Sequence, residues 1–185
     1  KSLRPQSGRI KTKNIFFIYP KIFQARNNIE VILTSRGEME EAERYYREAL
    51  QVNPSYQRAA LNLGELHQEK GQHKDAINEL LNIIKNDPEN IDAHLLLGKV
   101  YISSGHYLEA YENLTFVLRK QPENVNALVS LGTMYCQTGK TDKALSLFEK
   151  ALEIDPENIN ARIQLALFYQ SQDNLDDAIT QLEDI

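Results

Sequence analysis

The 185-residue chain is predicted to be an all-α solenoid of antiparallel helix pairs. Three observations predict it. Five of the six prolines (Pro20, Pro54, Pro88, Pro122 and Pro156) stand on a 34-residue grid, and only Pro5 lies off it. Alanine keeps the same register twice, at Ala25, Ala59, Ala93, Ala127 and Ala161 and again at Ala42, Ala76, Ala110, Ala144 and Ala178. Glycine recurs at Gly64, Gly98 and Gly132, and at Gly37, Gly71, Gly105 and Gly139. A fixed period of this length marks a stacked repeat, whose units bury their apolar faces only against one another.

Along the chain, residues 1–22 read as a basic arm or linker, since residues 1–26 carry seven Lys or Arg and no acid. Such a segment has little apolar surface to offset its ordering entropy, so it is expected to be the least protected region. "IFFIY" at 15–19 is too short to span a membrane, though long enough to dock on the first repeat. The array covers 23–185, with units at 23–56, 57–90, 91–124 and 125–158 and an incomplete unit at 159–185. The chain begins with Lys1 rather than Met, which leaves open that it is a piece of a longer protein.

The unit at 125–158 shows how each pair is written. Val125, Leu128, Leu131 and Tyr135 recur at helical spacing and predict a first amphipathic helix. Asn124 suits its N-cap, because a short side-chain oxygen accepts from the orphan N–H groups of the first turn. Gly139 ends it, because glycine enters the left-handed region without a Cβ clash. Ala144, Leu147, Phe148, Ala151 and Leu152 form the stripe of a second helix. Asp155-Pro156 stops that helix, since the proline ring holds the preceding residue away from helical backbone. A three- or four-residue turn joins the two. Gly132 and Ala144 remove bulk where the helices meet, and Leu131 and Tyr135 fill the space beside them. In the last unit Ala178, Ile179 and Leu182 repeat the second stripe with nothing after Ile185 to cover it. That predicts a longer array or association through this end.

Leu131-Gly132, Tyr135, Gly139, Ala144, Phe148, Ala151 and Pro156 together resemble the tetratricopeptide repeat, a 34-residue helix–turn–helix. The resemblance covers about residues 23–185. It implies a right-handed superhelix whose first helices line a concave groove. The departures are Glu30 and Leu33 in the unit at 23–56, His67 in place of the tyrosine, and Ala166 and Asp173 in place of two glycines. By resemblance, groove side chains lie four, seven, eight, eleven, fourteen and fifteen residues after each proline. The candidate peptide-binding residues are Leu61, Asn62, Glu65, Leu95, Leu96, Lys99, Ile102, Val129, Thr133 and Ile163. The row Leu61, Leu95, Val129 and Ile163 suits packing between neighbouring helices equally well. A chaperone-tail carboxylate clamp is disfavoured: its first row lacks lysine, and no arginine stands eight after a proline. An asparagine ladder finds only Asn28 and Asn62.

Chemistry-bearing signals are sparse. His67, His73, His94 and His106 form no HExxH pair, and Cys136 has no CxxC partner, so no zinc spacing is present. His67 reads as a core substitute for tyrosine, and His73 and His106 fall in turns. Cys136 falls on the inner face of a first helix as a small, part-buried residue. Glu40-Glu41 and Asp176-Asp177 sit at helix starts, where acids suit the helix dipole better than acid–base work. The "NLT" sequon at Asn113 lies inside a predicted helix. No phosphate-binding glycine loop appears. No enzyme activity, metal or cofactor is expected.

Composition agrees, with 42% apolar and 25% charged residues and a net charge of -5. Residues 27–185 hold 14 basic and 26 acidic side chains, a balance that repels nucleic acid and anionic membrane. The expected partner is a protein or peptide segment, apolar and neutral to basic, with self-association through the array ends as a further route. No apolar run is long enough to span a membrane, and a cytoplasmic location is expected. The function expected is a non-catalytic protein–protein interaction scaffold. The alternatives are the regulatory or substrate-recruiting array of a larger enzyme, and a self-assembling structural protein.

Overall fold

A computed structural model describes residues 39–53 and 56–183. These residues form nine α-helices and no strand. They are α1 (Met39–Val52), α2 (Gln57–Glu69), α3 (His73–Asn86), α4 (Ile91–Ser103), α5 (Tyr107–Lys120), α6 (Val125–Gln137), α7 (Thr141–Ile154), α8 (Ile159–Ser171) and α9 (Leu175–Glu183). The even-numbered helices are the first members of each pair. Their starts, and those of the odd-numbered helices, each recur every 34 residues. The expectations for residues 1–22, for Asn28, Glu30 and Leu33, and for Gly37 lie outside the described residues.

The local chemistry of the boundaries repeats with the fold. Asn90, Asn124 and Asn158 each accept a hydrogen bond from the backbone N–H three residues on, at 2.9, 3.0 and 3.0 Å. Tyr56, at the corresponding place before α2, makes no side-chain cap. Three-residue turns join the helices within a pair. At Gly139 the backbone turns left-handed, φ +72°, and Lys140 N–H donates to the Tyr135 carbonyl at 2.8 Å. That is the hydrogen bond of a Schellman closure. Asp173 takes the same left-handed turn at φ 59° without being glycine. His73 is the first residue of α3 rather than a turn residue, whereas His106 does lie in the turn before α5.

Packing within a pair rests on a glycine facing a large side chain. A Cβ on Gly132 would lie 2.5 Å from the Phe148 ring. On Gly98 it would lie 2.7 Å from Leu114, and on Gly64 3.2 Å from Leu80. The partner of Gly132 is thus Phe148, one helical turn beyond Ala144. Ala144 is itself fully buried, as are Ala42, Ala59, Ala76, Ala93, Ala110, Ala127 and Ala161. Each second helix also packs on the first helix of the next pair, so α3 meets α4, α5 meets α6 and α7 meets α8. Among the described residues the buried side chains fall into three successive clusters rather than one central core. This is the one-dimensional arrangement that stacked repeats impose.

Candidate peptide groove

The groove is built from the faces of α2, α4, α6 and α8 that do not pack on their own partners. Two adjoining depressions lie along it. One, of about 520 Å³, lies between α2 and α4 and is lined by Leu61, Asn62, Glu65, Leu95, Leu96 and Lys99, with Gln57, Arg58, Asn90 and Asp92. The other, of about 330 Å³, runs from α4 across α6 to α8. Lys99, Ile102, Val129 and Thr133 line it, with Gln68, Ser103, Asn126, Ser130, Gln137, Asn160 and Gln164. Lys99 is common to both and joins them.

All the sequence-derived candidates except Ile163 therefore line one of the two depressions. Ile163 is 37% exposed and lines neither. Val129 and Ile102 are each only 8% exposed and belong to the core cluster around α6, so much of their surface is spent on packing. Leu61, Leu95 and Leu96 are half-buried and keep surface toward the groove. Several lining residues are absent from the candidate list although the register contains them. Arg58, Asp92, Asn126 and Asn160 all stand four after a proline, and Ser103 and Gln137 fifteen after. Asn90 and Gln57 fall outside that register; the structure places them as the N-cap of α4 and the first residue of α2.

The two halves differ in chemistry. The α2–α4 depression sets Arg58 and Lys99 against Glu65 and Asp92. In the α4–α8 depression Lys99 is the sole charged group on the wall among the described residues. The acid surplus of the array thus lies mostly outside the groove. Among the hydroxyls, Ser130 donates to the Asn126 carbonyl at 2.7 Å, and Thr133 to the Val129 carbonyl at 2.9 Å. Thr133 also lies 3.1 Å from Gln164 Oε1, which orients that amide. The side-chain amides of Gln68, Asn126, Gln137 and Asn160 carry no hydrogen bond among the described residues. Amides in this state can donate to and accept from an extended peptide backbone.

The remaining chemistry-bearing side chains are structural. His67 is 2% exposed, and its Nδ1 lies 2.7 Å from Gln72 Oε1. His94 stacks on Phe116 with ring centroids 4.1 Å apart. Asn113 donates to the Glu109 carbonyl at 2.8 Å. Burial pushes the Cys136 thiol up, which suppresses the thiolate that reactive cysteines need. Among the described residues there is no group of three or more His, Cys, Asp or Glu placed to hold a metal, and no helix long and apolar enough to cross a membrane.

Solved structures share this architecture. A thermophilic TPR protein of Thermus thermophilus, TTC0263, superposes with a TM-score of 0.79 at 22% identity, over 86% of this chain and 87% of that one. MamA gives 0.65 at 25% identity, over 84% and 91%. YrrB, described as a TPR protein with an unusual peptide-binding site, gives 0.58 at 25% identity, over 85% and 81%. No curated relative matches. One family model, tetratricopeptide repeat, matches residues 33–100 and 137–185, and a second of the same description matches 95–159. With its register, paired helices and buried alanine rows, the chain belongs to the tetratricopeptide repeat family.

Proposed function

We propose that this chain is a non-catalytic scaffold that holds a partner's peptide segment along the α2–α4–α6–α8 groove and so assembles a complex. The observation that carries this reading is the pair of depressions meeting at Lys99. Half-buried leucines line one, and unspent side-chain amides line the other. Leucines accept apolar side chains, and amides hold backbone, so the fitting segment is extended, apolar and weakly charged. That refines the neutral-to-basic partner suggested by overall composition, because the groove itself is not acidic. YrrB's peptide-binding site supports the reading by analogy of fold.

Affinity capture with the full chain as bait tests it, with Leu95→Glu and Gly98→Leu run beside the wild type. Leu95→Glu is expected to abolish capture while leaving the melting curve close to the wild type. Gly98→Leu is expected to cost about 1–3 kcal/mol or more through overpacking against Leu114. If Leu95→Glu unfolds the array as severely as Gly98→Leu, Leu95 is a packing residue and the groove reading fails there.

One observation favours self-assembly as a second reading. Ile159, Ile163, Leu167, Leu175, Ile179 and Leu182 are all exposed on α8 and α9. Leu182 holds the register place of Phe148, yet it is 52% exposed where Phe148 is fully buried. Sedimentation of the full chain across a hundredfold concentration range checks this. Growth in size that Leu182→Glu with Ile179→Glu abolishes supports it, and a monomer throughout removes it.

A further inference from the structure

A further cavity, of about 490 Å³, opens between α1, α2 and α3 and meets the groove lining at Gln57. Its floor is Leu50, Ala60, Leu63 and Ile83, the last three buried. Its rim includes Arg47, Gln51, Glu79 and Asn82. Register explains why it is open. Moved on by 34 residues, Ala60 becomes His94, Asn82 becomes Phe116 and Glu79 becomes Asn113. There the same space is filled: the His94 ring lies on Phe116 at 4.1 Å, and its Nδ1 lies 2.7 Å from Asn113 Oδ1. A further step on, Leu128 and Leu147 occupy the places of Ala60 and Glu79. In this series the cavity is thus the site where two small or polar residues replace the filling rings.

We infer that this cavity receives a tyrosine side chain presented by a partner protein. The filled neighbour states the chemistry: an aromatic ring laid on an aliphatic floor, with a polar ring atom meeting the residue at the Glu79 position. Glu79 is an acceptor when ionised, so the ring must bring a donor, which tyrosine has and phenylalanine lacks. Glu79, Gln51 and the Asn82 side chain carry no hydrogen bond or ion pair among the described residues. Glu79 is half-buried, so an O–H donated to its carboxylate is a charge-assisted bond in a part-desolvated place. Arg47 also lines the cavity, but its guanidinium pairs with the Glu43 carboxylate, so the Glu79 charge is the one left to repel an anionic anchor such as phosphotyrosine. This site shares Gln57 alone with the lining of the groove and does not depend on the groove reading.

The test is titration of the full-length, isotope-labelled chain with N-acetyl-tyrosinamide, N-acetyl-phenylalaninamide and N-acetyl-leucinamide, followed by amide chemical shifts. The tyrosine probe is expected to move the signals of Ala60, Leu63, Asn82 and Ile83 and leave those of Asn62 and Leu96 in place. It is expected to bind about tenfold tighter than the phenylalanine probe, the ratio that one hydrogen bond to a charged group supports. Glu79→Leu is expected to reduce that ratio to near one while retaining the phenylalanine response. Asn82→Phe, which restores the neighbour's ring, is expected to raise Tm and abolish all three responses; Ala60→Leu serves the same purpose should that variant fail to fold. Leu95→Glu in the groove is expected to leave the titration unchanged. The proposal is overturned if the tyrosine probe moves none of these signals, if leucinamide moves them equally, or if the filled variants bind as the wild type does.

Discussion

Gly64, Gly98 and Gly132 occupy one register position but face unequal neighbours. A helix-interior Gly→Ala change gains up to about 1 kcal/mol of propensity. Against that stands the room for a Cβ. At Gly64 the facing Leu80 Cγ and Cδ2, each 3.2 Å away, need shift only slightly. At Gly132 the Phe148 ring is 2.5 Å away and fully buried, with no flexible end to retreat. Gly64→Ala is therefore expected to leave Tm unchanged or slightly raised, and Gly132→Ala to cost about 1–3 kcal/mol. Gly98→Ala should fall between them. Thermal melts of the three variants decide this, and an equal effect at all three would contradict the graded contact. The last pair departs from the pattern: Ala166 already carries a Cβ there, facing a second helix whose Leu182 remains open.

Between elements, one polar contact ties α1 to the end of α2. Lys70 Nζ donates to Glu43 Oε2 at 2.6 Å, with both side chains largely buried, and Arg47 pairs with the same carboxylate. The Lys70 hydrogen bond, ahead of the opposing cost of burial, holds the Glu43 carboxyl below its ordinary value. A carboxyl depressed in the fold binds fewer protons than in the unfolded chain. Its stabilisation is therefore present above the usual carboxylate range and is lost as pH falls through the lowered folded value. Lys70→Met is expected to cost about 1–2 kcal/mol at neutral pH and less in acid. Denaturant melts between neutral pH and pH ~3 measure it. A penalty that does not shrink on acidification would show that the lysine acts through packing alone.

Across the whole molecule, Tyr101, Tyr135 and Tyr169 repeat one register position, and burial raises the phenol of each. Nearby groups add to this: Glu109 at Tyr101, Tyr111 at Tyr135, and Asp177 and Glu149 at Tyr169. A phenol raised in the fold holds its proton longer than in the unfolded chain. The stability it contributes is complete below the ordinary value near 10 and is lost as pH rises through the raised folded values. Alkaline unfolding should accordingly begin above pH ~10 and spread along the stacked pairs together, because neighbours share their interfaces. Replacing Tyr135 by phenylalanine should move that transition upward, read by circular dichroism against pH; an unchanged midpoint would assign the transition to other groups.

The sequence by itself determined the period, the helix pairs, the asparagine caps, the turn glycines and the two buried alanine rows. Each of these is a local constraint. A left-handed turn, an orphan N–H or a close helix approach admits few residue types, so the residue at Asn124, Gly139 or Ala144 declares its place directly. The register also brings nine of the ten candidate groove residues to the walls of two depressions. What it left undecided was how much of each face stays open, because exposure belongs to the neighbours rather than to the residue. Val129 and Ile163 share one row, yet Val129 is packed beneath the next pair and Ile163 is not. Leu182 and Phe148 share another, and among the described residues only Phe148, whose helix is followed by another pair, is buried. The cavity above Ala60 likewise comes from what Ala60, Asn82 and Glu79 jointly fail to fill, a volume that appears only when three helices are brought together.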